Sequence, residues 1–566
     1  MLVLSKITGE SVAELAQGDR PDDIFFCSAW LGISILAGLM TLSSHFLPVT
    51  PLVVIVLLGL TSSFLFFPLY RCALVSLFAI FYRPRAALPR LFLTLTLLLL
   101  PVTYIGSQLI LYFDTAFYHI PIARIFEKFG VIKGMVLIHT NLGQVSSWFA
   151  LSAPGTAGGE NSWGAQSANV YSAMLAASHA AFAICHIAAG SKRLSDMIAG
   201  LGFLLVLLLA SRWGMIASLS PDLPTMILVV AIAWFLSLES TKFAVPATLP
   251  VAAFALTIKL SAVPLAIIVG IAAFQFWLQQ RRGLIVGFVI SLTIAVPFAA
   301  MSILANGCLA FPAAITCFDL PWTPSIDQLN YYSSLIIDAA RGGGRALPPG
   351  ISSFDGFIRW ASRDTSGAIV VVGGLLLVAI LVGIKLKNSK VLAVGLWPFL
   401  LAATGIAYVA ILAPTGRFGG GYTAVLASIV VFSISQFGSW ARIFSSLARM
   451  PFVFTAAIII IHMTSPGSLV RDTIAGRITE GVYQSPGTGY VIPKRILPFN
   501  INQPDTRRKT KWRTEIIDGL ETTQATQGNE CWSAQPPCFP RGINQNIIFN
   551  FSESGLLLGM SIKSQE

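Results

Sequence analysis

The chain has 566 residues, of which 55% are hydrophobic and only 11% are charged, and its formal net charge is +12. A soluble protein of this length could not bury so much apolar surface, so the composition predicts an all-α polytopic membrane protein in a lipid bilayer. The positive charge does not indicate a nucleic-acid partner, because most Lys and Arg lie in short loops between apolar runs, as the positive-inside pattern describes.

Apolar runs of roughly 20 residues predict about thirteen transmembrane helices. They lie at approximately 25–46, 50–70, 91–113, 168–188, 198–217, 224–239, 243–258, 261–279, 284–304, 367–385, 389–412, 420–437 and 451–464. Two of them, 243–258 and 261–279, are short enough to form one broken unit.

The basic loops between these runs fall on one side of the predicted membrane, which gives the chain an orientation. Residues 1–24 are predicted to be cytoplasmic, 25–464 to form the transmembrane domain, and 465–566 to form an extracytoplasmic tail. Two long polar loops, 114–165 and 305–366, then share the outer face with the tail.

The most informative stretch is the first of these loops, which begins DTAFYHIPIARIFEKFG at Asp114. A polar segment of some forty residues between spans is unusually long, and such loops are commonly functional. Pro121 suits the first turn of a helix. The sequence therefore predicts a short amphipathic helix that ends at Gly130.

Asp114 is the main catalytic candidate, because carboxylates are rare in membrane spans and Asp114 lies where a predicted span meets the outer interface, a position at which the cost of a charge is smaller. It would serve as a general base or as a ligand for a divalent metal, Mg²⁺ or Mn²⁺, facing a cavity. The alternative is structural: Asp114 could cap the following helix by accepting a backbone N–H.

The same loop carries four candidate substrate-binding residues, namely Tyr118, His119, Asn141 and Trp148. His119 could shuttle a proton or contact a phosphate, although a histidine satisfied by the backbone is an equal alternative. Asn141 and Trp148 suit a sugar, which amides and aromatic rings commonly contact. Anchoring at the membrane interface explains Trp148 equally well.

Three basic residues lie at the predicted outer ends of spans, against the positive-inside trend: Arg212, Lys259 and Arg417. A cation at this face beside a carboxylate suits a lipid phosphate or a diphosphate leaving group. Snorkelling to outer headgroups is the alternative, and it is favoured for Arg212.

Two cysteine pairs lie on the predicted outer face, where local pairs can form disulfides. Cys308 and Cys317 share the second long loop. Cys531 and Cys538 share the tail segment CWSAQPPC, and we hypothesise that these two form a bridge.

Several motifs together resemble a known kind of protein. The first loop looks like the first outer loop of GT-C-type integral membrane glycosyltransferases. The resemblance rests on DTAFYH, the glycines of GVIKG, NLG and SSWF. With FALTIKLSAVP, FPAAITCFDLPW and APTGRFGGG, they resemble more closely an uncharacterised group of bacterial polytopic membrane proteins.

This resemblance implies sugar transfer from a polyprenyl-phosphate donor to a glycan, lipid or protein acceptor, at the outer face of the bacterial inner membrane. Asp114 matches the acidic position of the family loop, and Lys259 and Arg417 would receive the leaving phosphate. Asp319, in FDLPW, would be a second carboxylate, with turn capping as the alternative.

Two other function classes remain open at this stage. A transporter or flippase of a lipid-linked sugar would need paired charges and broken helices near the membrane midplane, and few charges lie there. A structural membrane subunit would use its tail to bind a partner.

Overall fold

The structure is a computed structural model that describes most of the chain. The described residues are 20–63, 88–106, 112, 114–157, 164–238, 241–342, 351–387, 395–435 and 449–464, followed by short strands of the tail between 478 and 562.

The described chain is predominantly helical. Its α-helices are α1 Pro21–Ser43, α2 Pro51–Ser63, α3 Leu88–Gly106, α4 Ile120–Phe129, α5 Met135–Ile138, α6 Ser147–Ser152, α7 Ser167–Ala188, α8 Leu194–Met197, α9 Phe203–Arg212, α10 Asp222–Leu236, α11 Thr241–Ile258, α12 Val263–Gln275, α13 Trp277–Asn306, α14 Ile326–Arg341, α15 Ser353–Arg363, α16 Thr365–Lys387, α17 Leu396–Leu412, α18 Gly416–Ser435 and α19 Met450–Thr464. A π-helical turn over Ile198–Gly202 joins α8 to α9.

Among the described residues, seven helices are long and apolar enough to cross a membrane, and six shorter apolar helices accompany them. Most of these helices overlap the apolar runs of the sequence, although α13 begins at Trp277, before the predicted run at 284–304. The number of crossings stays a prediction. The two short runs near residue 260 form separate helices, α11 and α12, with a 3₁₀ turn over Leu260–Ala262 between them.

The main core surrounds α10, which is buried along its whole length. It packs against α11 and α18, and its Trp234 is among the largest fully buried side chains. Glycines bring α18 close to α10, because a Cβ on Gly421 would lie only 2.7 Å from the carbonyl oxygen of Met226. This close packing aligns the first turns of α10 and α18.

Ion pairs fasten one end of the helical bundle. Arg20, which precedes α1, donates to Asp196 of α8 at 2.9 Å, and Arg193 donates to Asp23 of α1 at 3.0 Å. The opposite end of α1 contacts the first long loop, where the backbone N–H of Val131 donates to a carbonyl of α1's C-terminal end. The loop and these ion pairs therefore lie at opposite ends of the bundle.

The first loop folds as predicted around a short helix. Pro121 lies in the first turn of α4, and Gly130 ends it with a positive φ of 73°. Apolar residues of α4, including Ile122 and Phe126, form a second buried cluster with the end of α13 and with Met560 of the tail.

The second long loop packs directly against the first. Asn306, the last residue of α13, donates from Nδ2 to the carbonyl of Gly143 at 2.7 Å. A disulfide joins Cys308 to Cys317 and closes the segment that follows. The two loops therefore share one end of the bundle, as the sequence predicts.

The tail adds short strands to the otherwise helical fold. They form two three-stranded sheets and one hairpin: β1 Ile478–Thr479, β2 Val482–Gln484 and β3 Val491–Pro493; β4 Lys511–Ile517, β5 Leu520–Gln527 and β6 Cys538–Phe539; β7 Ile547–Phe551 and β8 Leu557–Ile562. The chain is therefore not wholly α-helical, and strands such as β7, IIFNF, are rich in the β-branched and aromatic residues that favour sheets.

The tail is attached to the first loop through its last described strand. Gly559 of β8 bridges to Lys133, and the Met560 N–H donates to the carbonyl of Lys133 at 2.8 Å. Cys538 is disulfide-bonded. Its predicted partner, Cys531, lies outside the described residues.

Candidate functional site

Asp114 lies at the start of a π-helical turn, Thr115–His119, which leads into α4. Its side chain makes no capping hydrogen bond. It accepts instead a hydrogen bond from Nη1 of Arg417 at 3.0 Å. The structure therefore excludes the capping role and pairs Asp114 with a cation. The π-helical turn beside it is a second indication of a functional site, because such turns are frequent there.

A second carboxylate, Asp222, completes the group of charges that we call the charge cluster: Asp114, Asp222, Lys259 and Arg417. Lys259 Nζ donates to Asp222 Oδ1, and Arg417 Nε lies 3.7 Å from Asp222 Oδ2. Two carboxylates thus face two cations, and the four formal charges sum to zero.

Tyr112 lies inside the charge cluster. Arg417 donates from Nη1 to the Tyr112 hydroxyl, which in turn donates to Asp222 Oδ2 at 3.2 Å. The two carboxylates are therefore linked through one arginine and one phenol. A substitution of either carboxylate will change the hydrogen bonds that the other accepts.

Burial separates the roles of the two carboxylates. The side chain of Asp222 is only 2% exposed, whereas that of Asp114 is 29% exposed. Asp222 stands at the N-terminus of α10, which also favours negative charge there. We assign Asp222 to holding Lys259 and Arg417 in place, because its carboxylate is enclosed by the protein. The carboxylate of Asp114 is partly exposed, so it is the one of the two that a ligand could contact.

Both cations also contact one aromatic ring. Phe418 lies under Lys259, with Nζ 4.0 Å from the ring centroid, and under Arg417, at 5.2 Å. Cation–π contacts of this kind fix the position of a cation without adding an anion. Phe418 therefore helps to hold both cations in place without adding a negative charge beside them.

A cavity of about 310 Å³ lies next to Lys259, which is the member of the charge cluster that lines it. Its wall includes Lys259, Phe418 and Tyr118 on the side of the cluster, and Gln144 from the first loop. Most of the remaining wall is apolar and comes from α11, α13, α14 and α17, including Leu256, Phe298, Ile336 and Leu412. The cavity thus joins a cationic end to an apolar body.

His119 is almost completely buried, and its ring meets the Tyr118 ring edge-on at 4.3 Å and the Phe149 ring at a tilt at 5.3 Å. Its Nδ1 lies 3.0 Å from the Thr115 hydroxyl, and among the described residues its Nε2 has no hydrogen-bond partner. Burial lowers the pKa of His119 to about 3. The imidazole is therefore neutral at physiological pH, which argues against a cationic contact with phosphate.

Asn141 belongs to a polar group at the junction of the two loops. The hydroxyl of Tyr332, on α14, donates to Asn141 Oδ1 at 2.9 Å and accepts from the side-chain amide of Gln144. Burial raises the pKa of Tyr332. Gln144, rather than Asn141, is the amide of this group that lines the cavity.

Two other predicted binding residues lie apart from the cluster. Trp148 is completely buried, and its indole N–H donates to Asn169 at 2.6 Å, which favours packing within the protein over a ligand contact. Asp319 is exposed and forms no ion pair with any described residue. Neither joins Asp114, Lys259 or Arg417.

The donor groups do not fit a divalent metal. The carboxylates of Asp114 and Asp222 are each already paired with a cation, and a metal ion between them would lie beside both Lys259 and Arg417. Among the described residues there is also no group of three or more His, Cys, Asp or Glu with metal-binding geometry.

Sequence reasoning missed Asp222, Tyr112 and Phe418. The signal for Asp222 was available, because it is the acid in SLSPDLP at the predicted outer end of an otherwise apolar run. Two of the glycines after Arg417, Gly420 and Gly421, bring α18 against Met226 of α10.

Residues 1–424 match the model of a family described as "Domain of unknown function (DUF8201)". The chain belongs to this family. The charge cluster of this DUF8201 protein lies wholly within the matched segment, and the tail strands lie beyond it. No curated protein and no solved structure matches the chain.

Proposed function

We propose that this protein is a GT-C-like membrane glycosyltransferase that moves a sugar from a polyprenyl-phosphate donor to a hydroxyl acceptor at the extracytoplasmic face. One observation carries the proposal: the ion pair of Asp114 with Arg417 lies next to Lys259, which opens the apolar cavity. A phosphate needs cations and a prenyl chain needs an apolar channel, and here both meet at one point.

In the proposed reaction the acceptor oxygen attacks the anomeric carbon as the bond from that carbon to the phosphate oxygen breaks. Asp114 takes the acceptor's proton, and the lipid phosphate leaves with the bonding electrons. Arg417 and Lys259 stabilise the negative charge that develops on the phosphate, as preorganised cations do in other transfer reactions.

The pairing of Asp114 with Arg417 suggests how the base becomes available. A donor phosphate would compete with Asp114 for the guanidinium, because Arg binds phosphate and carboxylate with the same donor groups. Donor binding would then release Asp114 toward the acceptor, while Asp222 keeps the two cations in place.

The test compares Asp114→Asn with Asp338→Asn, a matched change of an exposed acid on α14. Membranes containing each variant are supplied with radiolabelled polyprenyl-phosphate sugar, and transfer to endogenous acceptors is measured together with expression. We expect Asp114→Asn to lower transfer by a factor of about 10²–10⁴, the usual effect of losing a general base, with normal expression. The Asp338→Asn variant should transfer normally.

Full activity of Asp114→Asn would remove the assignment of the base. Movement of the labelled lipid across the membrane without covalent transfer, in both wild type and Asp114→Asn, would favour a transporter of the same lipid. Comparison of surface glycans by mass spectrometry, with and without the gene, would identify the acceptor.

A further inference from the structure

Helix α15, Ser353–Arg363, has apolar side chains that the described part of the protein leaves exposed. Phe354, Phe357 and Ile358 fall at the spacing of one helical face, and they are 71%, 48% and 49% exposed. Three large apolar side chains on one exposed face of an eleven-residue helix are unusual in a water-facing segment.

The other two sides of α15 have ordinary surroundings. Trp360 is 4% exposed and points into the protein. Asp355, Arg359 and Ser362 form a polar face of their own, and all three are exposed. The helix thus packs against the protein with one side, exposes polar groups on a second and exposes apolar side chains on a third.

Helix α15 is followed directly by an apolar helix that also has exposed apolar side chains. At Asp364 the backbone leaves helical geometry, with φ −114° and ψ 64°, and the carboxylate then accepts from the N–H of Gly367 at 2.8 Å. The apolar helix α16 begins there, and its Ile369 is 69% exposed and its Leu376 59% exposed. Helix α16 is one of the seven that can cross a membrane.

Helix α15 is also attached to the wall of the cavity. Arg363 donates from Nη1 to the carbonyl of Gly342, at the end of α14, at 3.1 Å. Arg341 of α14 donates to the carbonyl of Ile411 on α17 at 3.1 Å. Since α14 and α17 both line the cavity, the position of α15 fixes the level of the cavity relative to the membrane surface.

We propose that α15 lies in the interface of the bilayer leaflet that borders the candidate site, with Phe354, Phe357 and Ile358 among the acyl chains. Its polar face then meets the headgroups and water, as in other interfacial amphipathic helices. The cavity lies beside this leaflet, so that a lipid substrate would enter it sideways from the membrane. The placement of α15 does not depend on the sugar-transfer proposal.

Photo-crosslinking of the full-length protein tests this placement. Phe357 is replaced with p-benzoyl-phenylalanine, and the purified protein is placed in vesicles of phosphatidylethanolamine and phosphatidylglycerol. Arg359, on the polar face of the same helix, receives the same substitution as a negative control. Ile369 on α16 receives it as a positive control.

Lipid adducts are measured by mass spectrometry after illumination. We expect position 357 to form lipid adducts at a level similar to position 369 and about tenfold above position 359, because only the apolar face reaches the acyl region. Adducts at 357 as rare as at 359, while 369 reacts, would overturn the proposal. A covalent dimer formed through position 357 would also overturn it, because a second copy of the chain would then cover the face.

Discussion

The strongest quantitative prediction concerns the ion pair between Lys259 and Asp222. Replacing Lys259 with Met removes the cation that bonds a carboxylate only 2% exposed. Loss of one partner of a buried pair typically costs about 3–5 kcal/mol, because the remaining charge is left in the interior. We expect about 3 kcal/mol, the lower end of that range, because Tyr112 and Arg417 still contact Asp222.

The opposite substitution should cost less. In Asp222→Asn the unpaired group is the amine of Lys259, whose side chain is 25% exposed and can reach water. We expect a loss of about 1 kcal/mol, as for an ordinary hydrogen bond. In the double variant no charge of the pair remains buried, so the two changes should be strongly non-additive, with a coupling energy of about 2 kcal/mol.

Thermal stability in detergent, followed by fluorescence-detected size exclusion, measures this order. Lys259→Met should lower the midpoint by a few degrees, and adding Asp222→Asn should restore about a third of the loss. Arg281→Met, which removes an exposed cation, serves as the control. The reasoning fails if Lys259→Met is as stable as wild type, or if Asp222→Asn worsens rather than rescues it.

Two further predictions concern parts of the first loop. Burial lowers the pKa of His119 from 6.5 to about 3, so the neutral imidazole contributes stability that is present above pH 6.5 and lost progressively as the pH falls toward 3. Between pH 6.5 and 4 the thermal midpoint of His119→Gln should therefore fall less than that of wild type. Equal slopes for the two proteins would contradict the assignment. In Gly559→Val the new Cβ would lie 2.5 Å from Cβ of Lys133, so β8 should detach from the first loop. The detached strand should then become sensitive to limited proteolysis. Gly373→Val is the control, because Gly373 has open space around it and its substitution should not change the cleavage pattern.

Much of the helical architecture follows from local sequence. Apolar runs such as 168–188 predict helix α7 almost to the residue, because a span must satisfy all its backbone groups internally and a helix does so. The boundaries of α4 follow equally well from Pro121 and Gly130. These features depend on neighbours within one or two turns, which the sequence displays directly.

The candidate site was only partly accessible in the same way. Asp114, Lys259 and Arg417 attract notice because each charge stands at the end of an apolar run, and the structure brings Asp114 and Arg417 into contact. The sequence gives no means of pairing Lys259 with Asp222, since 37 residues separate them and neither position has a periodic pattern.

The sequence by itself determined that this chain is a helical membrane protein with its unusual charges at the ends of spans, because hydropathy and charge act residue by residue. Only the tertiary structure decided which carboxylate stays buried with Lys259 and which, Asp114, stays partly exposed and paired with Arg417. That division depends on the close packing of α10 against α18 and on the position of Tyr112, and such contacts join residues from distant parts of the chain.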